Sequence, residues 1–135
     1  MRRNKLASKE RYESLIRYLF SVSDRFCALE RGEASVINDF LEHCPPISSR
    51  IVTEWPGTIL GGDTSAKLYD FECSHENCSY VLGVTSEFDD WIMPFLEDIH
   101  FHKGDLLIFG SICHEKDYWF ESKEIGEKYF RYISS

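Results

Sequence analysis

The sequence predicts an α+β domain with two N-terminal helices packed on one face of a mainly antiparallel sheet of about five or six strands. Three observations carry this expectation. Apolar residues near the N-terminus recur at helical spacing, and Pro45-Pro46 then interrupt that pattern. Beyond the prolines, apolar residues alternate or run continuously in short segments bounded by glycine turns.

Tyr12, Leu15, Leu19, Val22, Phe26 and Leu29 step by threes and fours, and Ile16 and Phe20 widen the stripe. This spacing predicts one amphipathic helix from about Ser8 to Arg31, capped by Ser8 and ended by Gly32. An isolated helix gains too little to persist, so its apolar stripe requires a sheet to cover it. A second, shorter helix carries Val36, Ile37, Phe40 and Leu41 and must stop before the two prolines, which remove a donor and disfavour helix at the preceding residue.

The stretch RIVTEW reads as a strand, followed by turns at Pro56-Gly57 and at residues 61–63. In LYDFEC, Tyr69, Phe71 and Cys73 alternate with Asp70 and Glu72, the pattern of a half-buried strand. YVLGVT places Tyr80, Leu82 and Val84 on one face, and the short loop between the two runs predicts a hairpin. Phe88, Trp91, Ile92, Phe95, Leu96 and Ile99 follow helical spacing with Pro94 inside it, which predicts a short or kinked helix, or two pieces. DLLIFGSI is a continuous apolar run suited to a strand buried on both faces. DYWFE and KYFRYI read as a closing hairpin, with helix as the alternative for the second.

The 135 residues fit one domain, residues 1–135, and with 43% hydrophobic and 15% aromatic residues they fill a core without staples. The basic N-terminus MRRNKLASKE is followed by no apolar h-region, and the longest apolar stretch, LLIFG, is too short to cross a bilayer. The expectation is a soluble, cytoplasmic chain. Five cysteines are an odd set, unlike a disulfide framework, and Cys27 and Cys44 lie among apolar helical residues as small buried hydrophobes.

Charge is unevenly spread along a chain of net charge −8. Residues 1–31 hold eight Lys/Arg against four Asp/Glu, and the remainder holds seven against nineteen. The stretch 51–102 carries ten acids and a single base, Lys67. Such a field repels nucleic acid and acidic lipid, and it attracts a basic partner and speeds encounter with it.

Cys73, His75 and Cys78 in CSHENC, with Cys113 or His114, supply zinc-type ligands. Their spacing of four intervening residues and the lack of a second matched pair favour a polar hairpin loop instead. His100 and His102 share a face of a strand, and Asp98 or Asp105 would add a carboxylate; without a second ligand pair, strand-end histidines are the simpler reading. Cys113 and His114 are adjacent, and neighbours on a strand point to opposite faces, so they do not form a nucleophile–base pair. Phosphate-loop, dinucleotide, serine-hydrolase and zinc-protease motifs are absent from the sequence. Trp119, beside Phe120, reads as core, whereas Trp55 and Trp91 stand beside acids at element ends and are expected to be part-exposed. Aromatics rimmed by one sign of charge, as in TEW and EFDDW, suit a steered protein–protein contact.

In size, acidity and α+β build, the whole chain resembles the immunity proteins of bacterial toxin–immunity systems, including those of contact-dependent growth inhibition. The resemblance implies a small single-domain protein without catalytic residues that binds a cognate toxin, often a nuclease with a basic cleft, and blocks it. No residue role is carried over from it. The residues themselves point to Glu54, Trp55, Asp89, Asp90, Trp91, Glu97 and Asp98 as the contact set for a protein toxin with a basic surface. No catalytic residue, cofactor, metal, nucleic acid or membrane enters this reading. The alternatives are a small metal-dependent hydrolase using His100, His102 and a carboxylate, and a zinc-stapled adaptor domain built on Cys73, Cys78 and Cys113. The chain is expected to be a monomer or a homodimer, the latter through an exposed edge strand.

Overall fold

The computed structural model describes residues 8–31 and 35–134. The elements run α1 (Ser8–Val22), β1 (Arg25–Glu30), α2 (Ser35–His43), β2 (Ser48–Val52), β3 (Glu54–Trp55), β4 (Thr58–Ile59), β5 (Ala66–Glu72), α3 (His75–Val84), β6 (Glu97–Lys103), β7 (Leu106–Ile112), β8 (Asp117–Phe120) and α4 (Lys123–Ser134). Two single 3₁₀ turns, Phe88–Asp90 and Cys113–Glu115, precede β6 and β8. Six strands form an antiparallel sheet in the order β2-β5-β1-β6-β7-β8, and β3 and β4 form a separate small hairpin. The α+β class and the mainly antiparallel sheet therefore hold.

The pair of N-terminal helices does not. One helix opens the chain and ends at Val22, and Arg25–Glu30 becomes the central strand of the sheet. Phe26 and Leu29 continue the three-and-four step of α1 in sequence, yet in a strand paired on both edges Phe26 through Leu29 are all buried. Burial on both faces erases the two-residue alternation that would have marked a strand. The turn after α1 is held by the Asp24 carboxylate, which accepts from the Gly104 N–H at 2.8 Å, and by the Asp24 carbonyl, which accepts from the Cys73 N–H at 3.0 Å. The expected stop at Gly32 lies outside the described residues, as do the expected Ser8 cap and the Val36 side chain.

The hairpin expected at CSHENC is a helix. Ser74 caps α3, its hydroxyl accepting from the Asn77 N–H at 3.1 Å, and Cys78 and Val81 line the buried face. Valines and Gly83 had disguised this helix as a strand. The opposite error occurs at residues 88–96, where a 3₁₀ turn and an irregular segment with a cis Met93–Pro94 peptide replace the expected helix. Proline lacks the N–H that a continuing helix requires. KYFRYI belongs to α4, entered through Ser122, whose hydroxyl accepts from the Ile125 N–H at 3.3 Å.

Two adjacent rows of side chains explain the layering. Phe71, Phe26, Phe101, Phe109 and Phe120 are cross-strand partners in succession across β5, β1, β6, β7 and β8. Neighbouring rings in this row lie 4.8–6.4 Å apart. All four helices supply residues packed with this row, including Ile16, Phe40, Val81 and Ile125. One residue along, on the opposite face, Ser48, Asp70, Cys27 and His100 pair across β2, β5, β1 and β6. Among the described residues no helix packs on that second face; the β3–β4 hairpin covers part of it, with Trp55 packed on Cys27, Leu29, Ala66 and Leu68. Gly57, at φ +87°, allows the hairpin to approach Ile112 and Trp119 closely.

Trp91 knits the helical layer to the sheet. Its indole N–H donates to Tyr12 Oη at 2.9 Å, Tyr12 donates to Thr85 Oγ1 at 2.6 Å, and Thr85 donates to the Val81 carbonyl at 2.7 Å. The ring is fully buried against Phe40 and Phe95. Trp91→Ala is expected to cost about 3–5 kcal/mol in denaturant unfolding, the range for large aromatic truncations in a core. Trp91→Phe should recover part of that loss, the remainder being the smaller ring and the hydrogen bond that Tyr12 Oη no longer accepts.

Candidate functional site

The structure separates the seven expected contact residues into surface and interior. Trp91 is 0% and Trp55 6% exposed, which corrects the expectation that both are part-exposed. The Trp55 indole N–H donates to Asp98 Oδ2 at 3.0 Å. Asp98 is itself buried, in a left-handed backbone (φ +53°), and its Oδ1 accepts from the Cys113 N–H at 2.9 Å. Glu97 is buried too, with Oε2 3.9 Å from Arg31 Nε and no hydrogen bond to it among the described residues. Burial raises the Glu97 carboxyl above its ordinary value, an effect that the Arg31 charge only partly offsets. Glu54 and Asp90 are exposed, and Asp89 is half-buried.

The surface acids among them belong to one corner of the molecule. The two 3₁₀ turns touch there, at the end of the sheet where β6 begins and β7 finishes. Asp90 accepts from the N–H groups of Ser86 and Glu87, at 2.6 and 3.1 Å, closing a reciprocal cap with Glu87. Asp89 forms an ion pair with Lys116 and accepts from the Tyr118 hydroxyl at 2.8 Å. The Lys116 ammonium holds the Asp89 carboxyl below its ordinary value. Glu87, Glu115 and Asp117 stand exposed on the same two turns and the start of β8. Trp55 reaches this corner through Asp98 and the Cys113 amide, bringing its chain neighbour Glu54 to its border. Sequence reasoning missed Glu87, Glu115 and Asp117; their signal was the pair of turn-forming clusters SEFDD and HEKD.

A second polar constellation lies on the helix-free face of the sheet. Asp70, expected on a solvated face, is buried and accepts four hydrogen bonds: from Cys27 Sγ at 2.9 Å, Arg50 Nη1 at 2.9 Å, Ser48 Oγ at 3.0 Å and Arg25 Nε at 3.2 Å. Burial alone would raise its carboxyl, but the Cys27 and Ser48 hydrogen bonds and the Arg50 charge outweigh this and hold it below its ordinary value. His100 and His102 lie beside it, ring centroids 5.2 Å apart. Burial pushes His100 down to about 4, so it is neutral at physiological pH. Cys27 is buried in this strand row rather than in a helix.

The cysteine-based ligand set does not assemble. Among the described residues, donor atoms of three His, Cys or acidic side chains converge within 4.8 Å in two places, Cys27–His100–His102 and Glu97–Asp98–His114. Neither includes Cys73, His75 or Cys78. His75 is exposed at the start of α3. Cys113 opens a 3₁₀ turn with its thiol on Ser111 Oγ at 3.2 Å, while His114 is exposed and 3.5 Å from Glu115. All five cysteines are free thiols, and burial raises those of Cys73, Cys78 and Cys113.

Asp70→Asn removes a charge that faces two guanidiniums, and it is expected to cost about 1.5–3 kcal/mol at neutral pH. A carboxyl held below its ordinary 3.8 stabilises the fold above that value and loses the contribution as pH falls through the folded-state value. The stability difference between wild type and variant, read by urea titration, should therefore shrink as pH falls below about 4. No protein-family model matches this chain, and comparison with curated proteins and with solved structures finds no match.

Proposed function

We propose that this chain is a binding protein, an acidic cytoplasmic inhibitor of the immunity type, which neutralises a basic protein partner such as a nuclease toxin. The observation that carries the reading is the acidic corner. Glu87, Asp90, Glu115 and Asp117 are exposed on two touching turns, with Glu54 at the border and Asp89 tied to Lys116. Their backbone is fixed by the reciprocal cap and by the Asp98–Cys113 hydrogen bond. Charges on a fixed frame lose little freedom when they meet a partner, so more of the Coulomb attraction survives as affinity and on-rate. The excess of nineteen acids over seven bases beyond residue 31 supplies the long-range attraction. Trp91 and Trp55 support this corner from beneath and do not serve as anchors on it.

The test begins with capture of partners on tagged full-length protein, washed at low and then physiological salt. A basic protein retained at one equivalent, whose own activity falls when the chain is added in stoichiometric amount, is the expected result. The triple variant Glu54→Lys, Glu115→Lys, Asp117→Lys should weaken that complex at least about tenfold, mostly through a slower on-rate. A retained partner that keeps full activity at saturation, or one that binds the triple variant as tightly as wild type, would overturn the proposal.

A further inference from the structure

We infer that the helix-free face of the sheet holds a transition-metal site of the zinc class, with Cys27, His100 and His102 as its ligands. The site uses none of the exposed acids of the corner and does not rest on the partner proposed to bind there.

The ligands are placed by strand register. Cys27 on β1 is the direct cross-strand partner of His100 on β6, and His102 lies two residues further along β6, on the same face. One ring nitrogen from each histidine and the Cys27 sulfur lie within 4.8 Å of one another. Tetrahedral zinc takes Zn–S near ~2.3 Å and Zn–N near ~2.0 Å, which brings ligand atoms to roughly 3.3–3.5 Å. Side-chain movements of at most about 1.5 Å close that gap. A thiolate with two imidazoles is a borderline-soft set that suits zinc and its neighbours and disfavours calcium and magnesium.

Three further features suit the same occupant. His100 is hydrogen-bonded through Nδ1 to the Asp98 carbonyl at 2.9 Å. A carbonyl only accepts, so Nδ1 carries the proton and Nε2 keeps its lone pair, the tautomer that a metal-bound histidine with a backbone outer partner uses. The Cys27 thiol donates to Asp70, and Asp70 is held by Arg25, Arg50 and Ser48. The two guanidiniums favour the Cys27 thiolate that forms on binding, and the thiolate offsets one of the two positive charges of the metal ion. Binding transfers the thiol proton to solvent and forms the sulfur–metal bond in its place. His102 is only half-buried and provides the way in from solvent. Binding removes the Cys27 donation, Asp70 keeps Arg25, Arg50 and Ser48 as its donors, and the fourth coordination position is left to water.

Cobalt(II) is the probe, titrated into the reduced full-length protein and followed by absorbance, with zinc(II) added afterwards as competitor. The expected result is saturation at one equivalent, visible bands of four-coordinate cobalt, a thiolate-to-cobalt band in the near ultraviolet, and displacement by zinc. Cys27→Ser should abolish the near-ultraviolet band, and His102→Ala should weaken binding by at least about tenfold. The double variant Cys73→Ser, Cys78→Ser should retain both signals. His102→Ala changes a half-buried side chain and decides the question if Cys27→Ser fails to fold. The proposal is overturned by the lack of saturable binding, by a near-ultraviolet band that persists in Cys27→Ser, or by loss of binding in His114→Ala with retention in His102→Ala.

Discussion

The buried carboxylate of Asp98 is the constraint on which the acidic corner of this molecule depends. It occupies an irregularity in the β1–β6 pairing, between Cys27↔His100 and Leu29↔Glu97, with a left-handed backbone. Asp is among the few residues that tolerate that conformation. Every polar group of Asp98 is used. One carboxylate oxygen takes the Trp55 indole, the other takes the Cys113 amide, the N–H donates to the Trp91 carbonyl at 3.2 Å, and the carbonyl accepts from His100. One residue thus joins the small hairpin, the second 3₁₀ turn, the segment after the first, and the histidine of the opposite face. A buried carboxylate is costly unless its oxygens are bonded, and here the bonding partners are the parts that must be aligned.

This arrangement changes the meaning of the acids and aromatics that dominate the middle of the chain. The alternation of Trp with Asp and Glu looked like anchors with a charged rim. The folded chain instead turns Trp55, Trp91, Glu97 and Asp98 inward and leaves the acids of the two 3₁₀ turns outside. The acidic corner borders the start of β6, the Cys27–His100–His102 cluster takes its two histidines from the same strand, and both lean on Asp98, through its side chain and its carbonyl respectively.

How much of this was legible in the sequence depends on what each segment packs against. The strand β5 announced itself because acids alternate with its aromatics, although Asp70 is buried too, and β7 announced itself as a continuous apolar run. The central strand β1 did not, because burial on both faces removes alternation and its apolar residues fall by chance in step with α1. The helix α3 carries β-branched residues and a glycine that propensity assigns elsewhere, and only its Ser74 cap betrayed it. The His100–His102 pair was visible as a two-residue spacing, but its third member, Cys27, sits seventy-three residues earlier and meets it only through pairing in the sheet. Asp70 could not have been recognised as buried, since its compensating partners come from β1 and β2.

The strand order also fixes when the chain can fold during its synthesis. β1 leaves the ribosome ahead of both strands that flank it, β5 and β6, which lie some forty to seventy residues downstream. Until they emerge, an apolar segment with two unpaired edges has no native partner. The β6–β7 pair, joined by a turn through Gly104 at φ +58°, is the most local pairing in the sheet, but β2–β5 and β1–β5 can close before it, as soon as Glu72 has emerged. The nascent β1 must therefore stay soluble while it waits, and the excess of eight bases over four acids in residues 1–31 provides charge repulsion during that wait.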